Sequence, residues 1–283
     1  MSADGGFRRV AVVGVGLIGG SVAFAVRRAF PASAVVGVDR DDVVFAGRQL
    51  GALTQGSEDL AIVAGADLVV LAAPVRENLA ILRRLPDLLE GPALVTDTGS
   101  TKRDTVAAAR ALPPSLTFVG GHPLAGAARG GISASRADLF ERRPWLLTPD
   151  ASTPRDAVDR LSGFVRALGA SPLEMEADVH DRVLAYTSHL PQMAASALMH
   201  VVGEAVGESG LKLSGGGLAD TTRVAGSPAR IWSDICATNA DQIGPALDLF
   251  IEILQQVRAA VAADRPVAPL FLSAQRWREK LRG

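Results

Sequence analysis

The chain is poor in cysteine, in aromatics and in any excess of charge, and each shortage excludes something. Cys236 is the only cysteine among 283 residues. One thiol closes no internal disulfide, and no cysteine–histidine cluster has zinc-site spacing, so no metal is expected. Lysine and arginine number 29 against 30 aspartates and glutamates, a formal net charge of −1. That balance gives no reason to expect nucleic acid or an anionic membrane as a partner. Aromatics make up 5% of the chain, too few for a base-stacking platform. No uninterrupted apolar run approaches the roughly 20 residues of a membrane span. The opening MSADGGFRR lacks the long apolar region and cleavage site of a secretory signal. The expectation is a soluble, cytoplasmic protein. At about 150 residues per domain, its length corresponds to roughly two domains.

What is present begins as an alternation. Residues 9–14 (RVAVVG), 34–39 (AVVGVD), 68–74 (LVVLAAP), 93–97 (ALVTD), 116–120 (LTFVG) and 145–148 (WLLT) are short apolar runs. Runs that are apolar throughout suit strands covered on both faces of a parallel sheet. Helix-compatible stretches separate them, among them 21–28, 103–111 and 155–168. That order predicts a doubly wound α/β domain over residues 1–173. From 174 to 283 the texture changes to alanine- and valine-rich helical spacing at 178–207, 231–242 and 245–263, with a basic tail at 272–282. The second domain is therefore expected to be helical, broken at the glycines 215–217 and at Pro266 and Pro269.

Gly14-Val15-Gly16-Leu17-Ile18-Gly19 fits G-x-G-x-x-G between a strand and a helix, and Asp39 lies 20 residues past Gly19. Gly14 permits the tight turn, Gly16 lets backbone approach a pyrophosphate, and Gly19 allows close helix–strand packing. The helix start, with Leu17 and Ile18, offers N–H groups to phosphate. Asp39 suits the ribose hydroxyls and repels a 2′-phosphate, so NAD is favoured and NADP is the alternative. Arg40 leaves that choice open, because it either stacks on adenine, pairs with a 2′-phosphate or is a solvated turn arginine. Ala73 and Pro74 close the third run and Thr98 follows the fourth. These are further cofactor candidates, since ligands bind beyond the carboxyl ends of parallel strands.

His122 stands in GGHPLAG after the fifth run and is the best candidate base, since a neutral imidazole is available at cell pH. Of the other histidines, His180 reads as exposed near a helix start, His200 as a core or interface residue, and His189 lies in SHLPQ beside Ser188. Ser100 either bonds a substrate hydroxyl or caps the helix that follows. Lys102 reads as a surface lysine, and Asp97 as a strand end bonded to its own turn. Arg223 carries the guanidinium that suits a small acidic substrate, or else makes an interdomain salt bridge.

In order, GVGLIGGS (14–21), TDTGSTK (96–102), GGHPLAG (120–126), SHLPQ (188–192) and DTTRVAGSPARIWSDI (220–235) resemble the prephenate/arogenate (cyclohexadienyl) dehydrogenase family of tyrosine biosynthesis. The resemblance implies a Rossmann domain followed by an all-helical dimerisation domain, and a homodimer. It implies oxidative decarboxylation, with a hydride passing to NAD(P)+ as the substrate ring becomes aromatic. It also implies roles: His122 accepts from the 4-hydroxyl, Ser100 orients that hydroxyl, and Arg223 binds a carboxylate. His189, with Ser188, lies near the substrate, Trp232 shapes the domain junction, and Asp220 positions its neighbours. One departure bears on specificity. Many members carry a polar or acidic residue just after HPLAG, where this chain has Ala127 and Ala128, then Arg129. An acid there attracts the ammonium of arogenate, so its absence, with Arg129 as a substrate contact, points to prephenate. Hydroxyacid dehydrogenases typically want a catalytic lysine in the helical part, and Lys212 lies in a glycine-rich loop instead. A dehydrogenase of the 4-amino analogue shares nearly every motif. A dinucleotide-sensing module needs the glycines without Ser100, His122 and Arg223 together.

Asp39→Ala is expected to weaken NAD binding relative to NADP in paired calorimetric titrations. Equal weakening of both would remove Asp39 from ribose recognition.

Overall fold

The computed structural model describes residues 6–127 and 129–282; Ala128, of the loop expected to select between substrates, lies outside them. The strands are β1 (Arg9–Val13), β2 (Ala34–Val38), β3 (Gln55–Ser57), β4 (Leu68–Leu71), β5 (Ala93–Asp97), β6 (Leu116–Pro123), β7 (Pro144–Thr148) and β8 (Ser171–Glu174). They form one sheet in the order β3-β2-β1-β4-β5-β6-β7-β8. Helices α1 (Leu17–Ala29), α2 (Asp41–Gln49), α3 (Val75–Arg84), α4 (Arg103–Ala109) and α5 (Arg155–Ala167) connect them. Alternate residues of each strand feed opposite faces. Val10, Val12 and Val70 pack with Val22 of α1 and Phe164 of α5. Ala11, Val13 and Val69 pack with Leu82 of α3 and Val106 of α4. Burying each such valine or leucine contributes about 1.5–3 kcal/mol, which is why these strands are apolar on both sides.

Three details of the sheet depart from the sequence reading. Gln-Gly-Ser at β3 has no apolar residue to signal a strand, yet it pairs through its backbone at the sheet edge. The sixth run, β7, is antiparallel to β6 in an otherwise parallel sheet. β6 itself runs on to Pro123, so His122 sits within a strand rather than in the loop after one. Its first half pairs with β5 as far as Thr96↔Val119, and its second half pairs with β7 from Gly120↔Thr148.

The remainder is helical. α6 (Ala177–Leu184) leads through a π turn (Ala185–His189) into α7 (Leu190–Leu211), followed by α8 (Gly216–Thr222), α9 (Ala229–Thr238), α10 (Ala240–Ala262) and α11 (Ala268–Arg282). The expected single helix 231–242 is two helices, because Asn239 leaves helical geometry with φ −141° and ψ 26°. No helix among the described residues is long and apolar enough to cross a membrane.

Glycine sets the loop between β1 and α1. Gly14 has φ +90°, and a Cβ there would lie 2.6 Å from the Ala73 nitrogen. A Cβ on Gly19 would fall inside the Gly14 carbonyl oxygen, whereas one on Gly16 would meet nothing within 4 Å. Gly19→Ala should therefore cost about 1–3 kcal/mol through overpacking, read as a lower urea midpoint. Gly16→Ala should keep the wild-type midpoint while weakening dinucleotide binding. Equal midpoints for the two variants would mean that the loop yields without cost at Gly19.

Candidate active site

β1 and β4 are neighbours at which the strand order reverses, and in such sheets ligands bind beyond the carboxyl ends of the strands. A cleft of about 310 Å³ lies there. Gly16, Leu17 and Ile18 form one wall, Ala73 and Pro74 the next, and Thr98 and Ser100 a third. The helical part closes it with Pro228, Ile231, Asp234 and Ile235. α1 opens at Gly16 with no side-chain cap and no acid in its first turn, a favourable setting for an anion. The open space over Gly16 leaves backbone accessible to a pyrophosphate, so these residues fit a dinucleotide. Asp39 accepts from the Val15 N–H at 2.7 Å and the Arg40 N–H at 2.8 Å, tying the end of β2 to the glycine loop. Arg40 is exposed and makes a two-pronged bond to Asp42, at 3.1 Å for each prong.

Beyond β5, Ser100 lines the cleft and does not cap α4, whose N-cap position is Lys102. Lys102 is not a surface residue. Its side chain is completely buried and pairs with Asp97, and its Nζ donates to the Gly121 carbonyl at 2.7 Å. Asp97 also accepts the Gly99 and Gly121 N–H groups, each at 3.0 Å. Its role thus extends past its own turn, because the pair fixes the β6 backbone immediately before His122. Burial pulls the Lys102 ammonium below the ordinary lysine range, against the opposing pull of Asp97.

His180 is likewise buried, not exposed. Its Nε2 lies 2.8 Å from His122 Nδ1, and its Nδ1 lies 2.8 Å from Asp181 Oδ1. Asp181 accepts the amide N–H of Lys102 at 2.7 Å and of Arg103 at 3.0 Å. A carboxylate from α6 thus does for α4 what a local capping residue would do. Arg103 reaches Asp181 at 3.1 Å and Asn239 at 3.0 Å, and also pairs with Asp241. Asn239 donates to the Asp181 carbonyl at 2.9 Å and lies 3.2 Å from His189 Nδ1. The Trp232 ring meets His189 edge-on, with centroids 5.9 Å apart. On an unbroken α-helix, His180 and His189 would face about opposite ways. The wider winding of the π turn changes that phase and brings His189 into the same network.

Burial pushes all three imidazoles toward the neutral form. His122 falls well below the ordinary range through burial, then through the positive character of its neighbours His180 and Lys102. His180 is lowered by burial against the pull of Asp181, and burial lowers His189 to about 4. Burial alone would raise the Asp181 carboxyl, but His180 and the Arg103 and Lys102 amides outweigh it and hold it below the usual range.

The structure joins His122, His189 and Trp232 through His180, Asp181 and Asn239, residues that sequence reasoning passed over. The adjacent His180-Asp181 pair was the available signal. Arg223 and Arg129 are exposed, and Ser188 is half-buried in the π turn. Arg223 begins the turn 223–226, whose Val224 carbonyl accepts from Gln192 at 2.9 Å. Gln192 also accepts from Ser227 at 3.3 Å, so SHLPQ braces the segment that carries Arg223. Among the described residues, the ion pairs that join the sheet and α1–α5 to the helices from α6 onward run through Arg76–Asp234, Arg230–Glu77, Arg103–Asp181 and Arg103–Asp241, not through Arg223. Asp220 and His200 are exposed, which excludes the core alternative for His200 within the chain. No group of acids, histidines or cysteines among the described residues is arranged to hold a metal ion.

A doubly wound sheet with a glycine-lined cleft at its strand ends, closed by a helical unit, defines a two-domain dinucleotide-dependent oxidoreductase. The nucleotide-binding-domain model of prephenate dehydrogenase matches residues 22–173, and its dimerization-domain model matches residues 176–268. The chain belongs to the prephenate dehydrogenase family. It is 36% identical to a cyclohexadienyl dehydrogenase of Zymomonas mobilis over 262 residues, covering 91% of this chain and 89% of that one. It is 34% identical to a prephenate dehydrogenase of Bacillus subtilis over 258 residues, covering 89% and 70%. A crystal structure of A. aeolicus prephenate dehydrogenase with hydroxyphenyl propionate and NAD+ superposes with a TM-score of 0.89 at 29% identity, covering 98% of this chain and 99% of that one.

The imidazole shifts give a stability profile. A histidine held below its unfolded value of about 6.5 stabilises the fold fully above that pH, and the contribution is lost as pH falls through the folded value. Differential scanning calorimetry should therefore show Tm falling from pH 7 toward pH 4, the range reached by His189. His189→Asn should make the decline shallower. A Tm independent of pH over that span would mean that these rings protonate freely in the folded protein.

Proposed function

We propose that the chain catalyses the NAD-dependent oxidative decarboxylation of prephenate to 4-hydroxyphenylpyruvate, in the service of tyrosine synthesis. The observation that carries this reading is the tethering of His122 Nδ1 to His180, which leaves Nε2 for a substrate hydroxyl. When bound, NAD+ supplies the acceptor for the hydride leaving the ring carbon that bears the 4-hydroxyl. Gly16 and the first turn of α1 hold the pyrophosphate, Asp39 the ribose, and Leu17, Ile18, Ala73, Pro74 and Thr98 the walls around it. Ser100 orients the hydroxyl. Neutral His122 accepts its hydrogen bond and then its proton as carbonyl character develops. A weak base suffices here, because a hydroxyl on carbon losing a hydride becomes strongly acidic. The bond from the ring to the departing CO2 leaves its electron pair in the ring, and His122 returns the proton to the resulting phenolate oxygen. Arg223 pairs with a substrate carboxylate, with His189, Ser188 and Trp232 bounding the same pocket.

Residues 1–173 form the cofactor domain in this reading, and residues 174–283 the substrate and dimerisation domain. The exposed apolar side chains of Val201, Leu249, Leu254, Phe271 and Trp277 support a homodimer, and the lone thiol of Cys236 suits the cytoplasm. Arogenate is the second reading, favoured by the likeness to a cyclohexadienyl dehydrogenase. The alanine at 127 and the exposed arginine at 129 favour prephenate, since neither attracts an ammonium.

Purified protein with NAD+ and prephenate should generate NADH absorbance and 4-hydroxyphenylpyruvate, faster than with arogenate. The reverse order would overturn the substrate preference, and no turnover of either would overturn the reaction. His122→Asn should lower kcat by about 100- to 10,000-fold with NAD affinity unchanged. Arg223→Ala should chiefly raise the KM for prephenate.

A further inference from the structure

We propose that His180 and Asp181 are positioning residues that fix the tautomer of His122 and share the proton it accepts. This rests on the reading of His122 as the group facing the substrate hydroxyl. Each donor and acceptor follows from the one before it. Asp181 receives the Lys102 and Arg103 amides and the Arg103 guanidinium, so its carboxylate is an acceptor. The hydrogen between it and His180 therefore sits on His180 Nδ1. Neutral His180 then presents a lone pair at Nε2. The hydrogen in the 2.8 Å contact with His122 consequently sits on His122 Nδ1, and the lone pair of His122 lies at Nε2. The opposite arrangement requires His180 to carry a charge already in the resting protein, where burial, and after it the nearby Lys102, hold its ring below the ordinary histidine range.

When His122 Nε2 takes a proton from the hydroxyl, its Nδ1 proton can pass to His180 Nε2. The positive charge then stands next to Asp181, and the reverse movement restores both rings when the phenolate is protonated. No oxidant or co-reactant enters this exchange. The groups facing the two rings are Lys102 from the β5–α4 connection with its partner Asp97 at the end of β5, Asp181 from α6 and His189 from the π turn. Arg103 of α4, held by Asp241 of α10, faces them through Asp181. Asp181 and His180 belong to the helical part, and His122 and the α4 amides to the sheet part. The tautomer is thus set only where the two parts are docked.

The test begins with the wild-type chain, without cofactor or substrate. Long-range proton–nitrogen NMR at pH 7.5, with His122→Asn for assignment, should show His122 carrying its hydrogen on Nδ1. A hydrogen on Nε2 would overturn the proposal. His180→Leu should lower kcat about 100-fold while KM changes by less than about three-fold. His180→Gln, whose amide oxygen can accept from His122 Nδ1, should recover about ten-fold over the leucine variant. The acid limb of the kcat–pH profile should move in both variants. Equal losses in the two variants with an unmoved acid limb would reduce His180 to a packing residue and overturn its role. Absence of turnover in the wild-type chain would count against the proposed reaction, while the tautomer would still be read in the unliganded protein.

Discussion

Asp181 is buried, charged and answered by donors from both parts of the chain: the start of α4, the Arg103 guanidinium and the His180 ring. A carboxylate removed from water is costly unless hydrogen bonds replace its hydration. Here they do so only when α6 lies against the β5–α4 connection, so the charge specifies how the helical part docks. The same requirement propagates inward. Lys102, whose amide Asp181 holds, extends its ammonium to Asp97 and to the Gly121 carbonyl. The strand that carries His122 is thereby referenced to a carboxylate that lies 59 positions further along the sequence.

The two families of contact between the parts differ in kind. Around Asp181 they are buried, and Thr101 and Thr238 add a hydroxyl contact at 2.8 Å. Near the dinucleotide cleft they are Arg76–Asp234 and Arg230–Glu77, where both arginines are more than half exposed. Exposed pairs contribute little and are screened by salt, typically about 0–1 kcal/mol each. Orientation is therefore governed by the buried side, and the cleft side is the more compliant.

Much of the sheet was legible because hydrophobic burial on both faces leaves an uninterrupted apolar run, as in LVVL of β4 and ALVTD of β5. The glycine loop was legible because each glycine answers a local constraint. What escaped depended on distant partners. Lys102 and His180 look like solvated residues until Asp97 and Asp181 are placed beside them, and nothing within a helical turn of Lys102 announces a carboxylate from α6. β3 escaped because its backbone pairs without apolar side chains, and the break at Asn239 because its amide serves Asp181 and His189. β7, which runs antiparallel to β6, is as apolar as the parallel strands β4 and β5, so its direction left no mark in the sequence.

The π turn between α6 and α7 acts as a phase adjuster in the chain. Each residue of an α-helix advances the winding by about 100°. Deleting one residue between Asp181 and Ser188 would let this stretch relax to ordinary α winding. The stretch of α7 up to its kink at Gly207 would then rotate about its own axis, carrying His189 away from Asn239 and Trp232, and Gln192 away from the turn it braces. The interval between the two histidines is therefore a fixed gauge. Substitutions within it are judged by their individual contacts, whereas a change of its length is felt at every position downstream.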